Sequence, residues 1–331
     1  MAKELIKPQY VKTAKEILAL GVTQTPMLVE NLLQQKGMAC LTGSSDGGKS
    51  FLGLFLASIL CGDKDKIFER KINRNTGGVI VVCTEDSAED ICVRLTKFST
   101  HHKIDEEKLG FIFETSNLPS KLKTVLEWKP ADLIIMDTFG DLFPGNLNDS
   151  IAVRKFLTPY KELANDFNCL FLFNHHIGKG KEGNATPSKN DVLGSQGIES
   201  ACRTVLMLRK KEDGKRILTV VKGNHISEEH KNKGIVLTFD VESGFEATGD
   251  TVKYSEHTQV SNLTKPMIEE VLILYPLLKS CKKVADAMKL KGYKKVDKNK
   301  VAKIWKEYGP SVPPPTENDG RTEEPDSPEG E

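Results

Sequence analysis

Gly43-Ser44-Ser45-Asp46-Gly47-Gly48-Lys49-Ser50 places a glycine, four residues, a second glycine, a lysine and a serine in one unbroken run. Those residue types in that order suit the cradling of a polyphosphate. Glycines let successive backbone N–H groups turn inward around phosphate oxygens with no Cβ in the way, and a helix beginning at the loop adds partial positive charge. Lys49 would reach the β- and γ-phosphates of a nucleoside triphosphate, and the Ser50 hydroxyl would coordinate Mg²⁺. The flanks agree. Met38-Ala39-Cys40-Leu41 is a strand-like apolar run before the loop, and Phe51 to Leu60 is a helix-length apolar run after it.

Hydrolysis needs further groups, and three strand-like runs end in them. Gly77-Gly78 precedes Val79-Ile80-Val81-Val82-Cys83, which ends at Thr84-Glu85-Asp86, with a helix expected from about Ser87. Ala131 to Met136 ends at Asp137, and Cys169 to Asn174 ends at His175-His176. Asp137 would hold the water shell of the metal beside Ser50. Glu85 is the expected general base, since a carboxylate on a neighbouring strand can orient and deprotonate the attacking water. Asp86 should point elsewhere, because successive side chains on a strand alternate. On the residues alone, the histidine pair is either a polar turn or part of the catalytic apparatus. With no third ligand in the pattern, it is poor evidence for a metal site.

The elements that must position these groups form a repeating order. Near-continuous apolar strands alternate with helical patterns, and Thr204–Leu208 and Ile217–Val221 follow as hairpin-like strands. This order predicts an α/β fold with a largely parallel sheet covered on both faces, and ligands bound at the carboxyl ends of its strands. The predicted divisions are a helical lead-in over 1–36, an ATPase domain over 37–250 and a linker over 251–262. A basic module over 263–309 and a tail over 310–331 complete the chain.

Composition narrows the class. The chain has 331 residues and a formal net charge of +1, and no run of about eighteen apolar residues that would suggest a membrane span. Its seven cysteines are scattered, with no Cys-x-x-Cys pair. That argues against a zinc site or a disulfide framework and predicts a cytoplasmic protein. Cys83, Cys169 and Cys202 fall in apolar stretches and read as core residues.

The small net charge hides two opposed segments. Lys279 to Lys306 holds eleven lysines against Asp286 and Asp297, whereas Pro310 onward holds seven acids, six prolines and Arg321. The latter cannot bury a core and is predicted to be disordered. Within the basic segment, Thr264-Lys265-Pro266 opens a helix expected to stop before Pro276, with further helices over 280–289 and 297–308. Val301, Ile304, Trp305 and Tyr308 fall on one apolar face of the last helix, leaving most of its lysines off that face. A helix-turn-helix or winged-helix-like module binding duplex DNA through phosphate contacts is the expectation; a docking bundle is the alternative.

The ordered series from the phosphate loop through Thr84-Glu85-Asp86, Asp137 and Asn174-His175-His176-Ile177-Gly178-Lys179 resembles the RecA-fold ATPases. It continues through Gly194-Ser195-Gln196-Gly197 and Arg203 to Val221-Lys222. Within that group it is similar to the RepA-type hexameric helicases of plasmids and phages, over roughly Leu28 to Thr248. The resemblance implies a homo-hexamer in which Glu85 activates water, His176 (or His175) senses the γ-phosphate and Arg203 serves the neighbouring subunit's nucleotide. DnaB-like relatives carry a Lys and an Arg two apart after the last core strand, both acting in trans. Lys222-Gly223-Asn224 keeps that lysine and lacks that arginine.

The Gly- and Lys-rich stretch from Gly178 to Asn190 would grip single-stranded DNA in a central channel, or is a solvated loop. With no Asn-Lys-x-Asp guanine motif, ATP is the expected nucleotide, with Mg²⁺. The expected function is an ATP-dependent DNA helicase of a mobile element. The alternatives are a DNA-binding regulator or recombination mediator without unwinding activity, and a KaiC-like signalling ATPase.

Overall fold

The apolar run before the glycines forms β1 (Gly37–Gly43), and the run after them forms α1 (Lys49–Leu60). The structure, a computed structural model, describes residues 11–176, 196–211, 213–231, 233–253, 265–293 and 296–308. Helix α1 is apolar on nearly all sides and is buried from Leu52 to Leu60, so the sheet and a neighbouring helix must enclose it.

Alternation of strand and helix continues through β2 (Val79–Cys83), α2 (Ala88–His101), β3 (Leu109–Ile112), α3 (Leu118–Trp128) and β4 (Leu133–Asp137). Next come α4 (Ser150–Asp166), β5 (Leu170–His176) and the short α5 (Gln196–Ala201). Four antiparallel strands close the sheet: β6 (Thr204–Lys210), β7 (Arg216–Gly223), β8 (Lys233–Asp240) and β9 (Gly244–Lys253). Helix α2 starts where a start was expected. Ser87 caps it, accepting from the Asp90 N–H, while the Asp90 carboxylate accepts from the Ser87 N–H.

The nine strands lie in the order β9-β8-β7-β6-β1-β5-β4-β2-β3. All pairings from β6 through β1 to β3 are parallel, and those from β6 out to β9 are antiparallel. Strand alternation divides the core into two layers. Val79, Val81, Leu133 and Ile135 pack with α1 and α2 on one face, while Ile80, Val82, Ile134 and Met136 pack with α3 and α4 on the other. A sheet covered on both faces explains why these strands are apolar throughout rather than alternating with polar residues.

Two boundaries differ from expectation. The lead-in is helical only over Ala14–Leu18; Met27–Val29 and Leu33–Gln34 form a small antiparallel ladder instead. Leu28, Val29, Leu32 and Leu33 are fully buried in the core, so tertiary packing decides their conformation. Strand β9 runs to Lys253, beyond the predicted end at 250.

The chain divides into two compact units, Met1–Thr258 and Gln259–Glu331. In the second, α6 (Lys265–Leu278), α7 (Cys281–Leu290) and α8 (Lys298–Tyr308) surround their own core. Ser280 and Asp297 cap α7 and α8 by accepting from the Lys283 and Lys300 N–H groups. Helix α6 does not stop before Pro276 but carries it inside. Tyr275, buried, stacks on Trp305 at 4.3 Å between ring centroids, and that packing outweighs the backbone bond Pro276 cannot donate. Val301, Ile304 and Trp305 are buried as expected, but Tyr308 is 44 % exposed. The expected linker from 254 and the acidic tail from 310 lie outside the described residues.

Candidate active site

The phosphate loop sits where β1 meets α1. Ser45–Gly47 makes a short 3₁₀ turn, and Gly48 has φ +93°, a left-handed conformation that a Cβ would strain. Gly43 is required for a different reason. A Cβ there would lie 2.3 Å from the Leu208 carbonyl oxygen of β6, which is rigid backbone. The loop is therefore shaped by two strands of the sheet as well as by its own sequence.

Lys49 is 3 % exposed and its Nζ lies across the loop. It donates to the carbonyls of Gly43 (3.1 Å) and Ser44 (2.7 Å) and approaches His176 Nδ1 at 3.1 Å. Burial lowers its pKa, and the nearby Asp137 and Glu85 carboxylates oppose that shift. An ammonium has three N–H donors, so these contacts match its capacity, and a phosphate oxygen would compete directly for it.

Parallel pairing brings the other predicted groups to the same edge. Gly43 lies opposite His176, and Cys83 opposite Asp137. Asp137 ends β4; its Oδ1 is buried with no hydrogen-bond partner among the described residues. Burial raises its pKa, offset in part by the Asn174 amide and the Ser50 hydroxyl. An unsatisfied carboxylate oxygen beside the loop serine has the donor chemistry that Mg²⁺ and its water shell require, so Ser50 and Asp137 fit that ion.

Glu85 and Asp86 are separated by their environments. Asp86 is engaged in a bidentate pair with Arg94, at 2.5 and 2.8 Å, and Arg94 in turn lies over the Phe51 ring. Glu85 is 56 % exposed, with its Oε1 3.9 Å from His176 Nε2. Its position is set by a hydroxyl–carboxylate lattice that has no sequence signal. Thr84 Oγ1 lies 2.9 Å from the Asp137 carbonyl and 2.8 Å from Asp141 Oδ2, with one proton to donate between them, and Thr138 Oγ1 donates to the same Asp141 oxygen. This ties the end of β2 to the end of β4, and with it Glu85 to Asp137.

The two histidines are likewise distinct. His175 turns inward, 3 % exposed and edge-on to Phe139, with neither ring nitrogen bonded among the described residues; burial pushes its pKa down to about 4. His176 turns toward the loop. Burial first and Lys49 second lower its pKa, so the neutral ring accepts from Lys49 at Nδ1 and carries its proton on Nε2, toward Glu85. Of the pair, His176 is the one in contact with Lys49.

Arg203 and Lys222 are not part of this cluster. The Arg203 N–H donates to the Met38 carbonyl at the start of β1, and the Asn224 N–H donates to the Arg203 carbonyl just after β7. Lys222 pairs with Val205 at the start of β6. Both lie toward the amino edge of the parallel strands; Arg203, level with Met38, is about 17 Å from the loop at roughly 3.3 Å per residue along β1, and Lys222, level with Cys40 and two strands away from β1, is roughly 10 Å back along the same direction. Arg203 approaches His225 Nε2 at 3.2 Å and lines a cleft of about 590 Å³ together with Arg154, Lys161 and Ser200. Arg203 is too far back along the sheet to reach the loop of its own chain. The stretch from Gly178 to Asn190, and Gly194-Ser195, lie outside the described residues.

A further cation beside the loop carried no sequence signal. Arg216, at the start of β7, is 6 % exposed and donates from Nε to the Gly47 carbonyl at 3.0 Å. An arginine just after an Asp213-Gly214 turn has no motif or periodicity to distinguish it from a surface residue. Only the pairing of β7 against β6 carries it to the loop.

The described residues contain no cluster of three or more metal-ligating His, Cys, Asp or Glu side chains. All seven cysteines are free, with Cys83, Cys169 and Cys202 buried, and no described helix is long and apolar enough to cross a membrane.

Comparison with known proteins agrees with this geometry. No curated protein matches the chain. Among solved structures, the ATPase domain of G-forty-P superposes with a TM-score of 0.51 at 11 % identity, covering 72 % of this chain and 95 % of that one. At that identity the likeness concerns the fold, which is RecA-like. Residues 6–182, more than half of the chain and including the phosphate loop, Glu85, Asp137 and His176, match the AAA_25 family of AAA domains. The chain belongs to that family of phosphate-loop nucleotide-binding proteins.

Proposed function

We propose that this protein is an ATP-dependent DNA translocase and helicase of the RecA-fold hexameric type, acting in the replication of a phage or plasmid. The observation that carries this reading is the division of its charged groups between two edges of one sheet. Gly43 to Ser50, Glu85, Asp137 and His176 form a nearly complete hydrolytic site at the carboxyl edge, with Arg203 about 17 Å away at the amino edge. A head-to-tail ring would present the amino edge of one subunit to the carboxyl edge of the next. Arg203 would then complete a site it cannot reach in its own subunit, with Arg154 and Lys161 adding positive charge in the same cleft.

Glu85 takes the proton of the attacking water, and its exposure leaves it accessible for that role. Lys49 leaves the loop carbonyls for the β- and γ-phosphates. His176, bonded to Lys49 and facing Glu85, feels that change directly and passes it to the segment that follows it in the chain. Mg²⁺ held by Ser50 and Asp137 would supply charge neutralisation at the phosphates. The lysines of the second unit, in a helix-turn-helix-like arrangement, would contact duplex phosphates, and the stretch from Gly178 to Asn190 would contact single-stranded DNA in the channel.

The test is unwinding of a forked DNA duplex, run alongside native mass measurement with and without ATP. Strand displacement that needs ATP, by a ring-sized assembly, supports the proposal. DNA binding with hydrolysis but no displacement would replace it with the regulator or recombination mediator. Hydrolysis indifferent to DNA would remove nucleic acid from the function.

A further inference from the structure

Arg216 lies where a cation is costly to place. It is almost fully buried, and burial lowers its pKa, as expected for a guanidinium removed from water. Its Nε donates to the Gly47 carbonyl at 3.0 Å, Nη1 donates to the Gly214 carbonyl, and its guanidinium carbon sits 4.8 Å from the centre of the Phe239 ring. Among the described residues no carboxylate pairs with it. A buried charge held by carbonyls and a ring is placed by geometry rather than by neutralisation.

Gly47 ends the 3₁₀ turn, and Gly48 turns left-handed before α1. A Cβ at Gly48 would have Arg216 Nε and Phe245 Cζ as its nearest neighbours, both at 3.8 Å, so this turn packs on the outer hairpin. Phe239 and Phe245 in turn pack on Phe51 and Phe55 of α1, which leaves the loop. The loop is therefore gripped from behind by strands β7 to β9, at a residue whose fork donates to the loop and to the hairpin turn at once.

We propose that Arg216 is a positioning residue for the nucleotide. From the outer hairpin it holds the Gly47–Gly48 turn, whose Gly47 N–H donates to the Ser44 carbonyl, in the conformation that starts α1 at the phosphate site. The proposal rests on the loop's being the nucleotide site. It assigns Arg216 no contact with the reacting atoms, so its loss should act on binding more than on the chemical step.

The experiment compares Arg216→Met and Arg216→Lys with the parent chain, by titration with a fluorescent ADP analogue and by steady-state ATP hydrolysis. Arg216→Met should raise Kd and KM together by about tenfold to a hundredfold, the range for losing a charge-assisted hydrogen bond, with kcat within a few-fold of the parent. Arg216→Lys keeps a charge but not the fork and should recover only part of that loss. Parent-like Kd in a folded Arg216→Met chain would overturn the proposal, as would a fall in kcat with Kd unchanged. If Arg216→Met fails to fold, Arg216→Lys decides the matter: parent-like Kd again overturns it. Lys49→Ala serves as the comparator. Loss of binding in Lys49→Ala with none in Arg216→Met would sink this proposal and leave the nucleotide site standing. Unchanged binding in Lys49→Ala would sink the site itself.

Discussion

Replacing His175 by leucine should remove a large part of this protein's sensitivity to acid. His175 is 3 % exposed, neither ring nitrogen has a partner among the described residues, and burial brings its pKa to about 4 in the folded chain. In the unfolded chain it returns to an ordinary value of about 6.5. Above pH 6.5 the ring is neutral in both states and adds no pH dependence. As pH falls through that value the unfolded state takes a proton that the folded state refuses, so stability drops, and the loss is complete only below about pH 4. Between pH 7 and pH 5 this amounts to about 2 kcal/mol, rising toward roughly 3 kcal/mol at lower pH. Asp137 titrates in the opposite sense: its folded value lies above 3.8, so acidification relieves a cost there. Taking the difference between parent and His175→Leu isolates the histidine. Urea melts followed by circular dichroism at pH 7 and pH 5 should show the parent losing about 2 kcal/mol more than the variant. Equal losses in the two chains would refute the buried, neutral placement of His175, and with it the basis for separating it from His176.

Glu85→Gln should keep ATP binding while kcat falls by roughly two to four orders of magnitude, because the amide cannot take the water's proton; a larger loss in Asp86→Asn than in Glu85→Gln would transfer the base to the residue now paired with Arg94. Arg203→Ala should spare ATP affinity and remove hydrolysis, and mixing it with Glu85→Gln subunits should restore part of the activity. Confirmed mixed assemblies with no recovery would confine Arg203 to its own subunit, where it is too far from the loop to act. Ending the chain at Asn262 should leave nucleotide binding intact and flatten the salt dependence of duplex binding, as read by fluorescence anisotropy across a salt series. The slope should fall by about one unit for each lysine that no longer meets a phosphate.

Much of the nucleotide site was legible in the chain itself, because its signals are local. The glycine spacing from Gly43 to Gly48, the lysine and serine that follow, and the apolar runs ending at Cys83, Asp137 and His176 all lie within single strand–loop or loop–helix segments. A period of two or an unbroken apolar run reports burial without reference to any other part of the chain. Strand alternation already sets Asp86 apart from Glu85 in the sequence, and the fold supplies what holds each neighbour apart. Asp86 is withdrawn because α2 carries Arg94 back to it, and His175 because Phe139 and the sheet interior lie on its side of β5. Arg216 reaches the loop, and Arg203 is kept from it, through the pairing of β6 with β1 and with β7. The same holds for α6 running through Pro276 and for the buried ladder at Met27–Gln34: in each, packing against distant residues overrides a local signal. Local sequence determines what kind of element forms and what chemistry its end can offer. Strand order and register, which join residues more than a hundred positions apart, decide which of those ends meet.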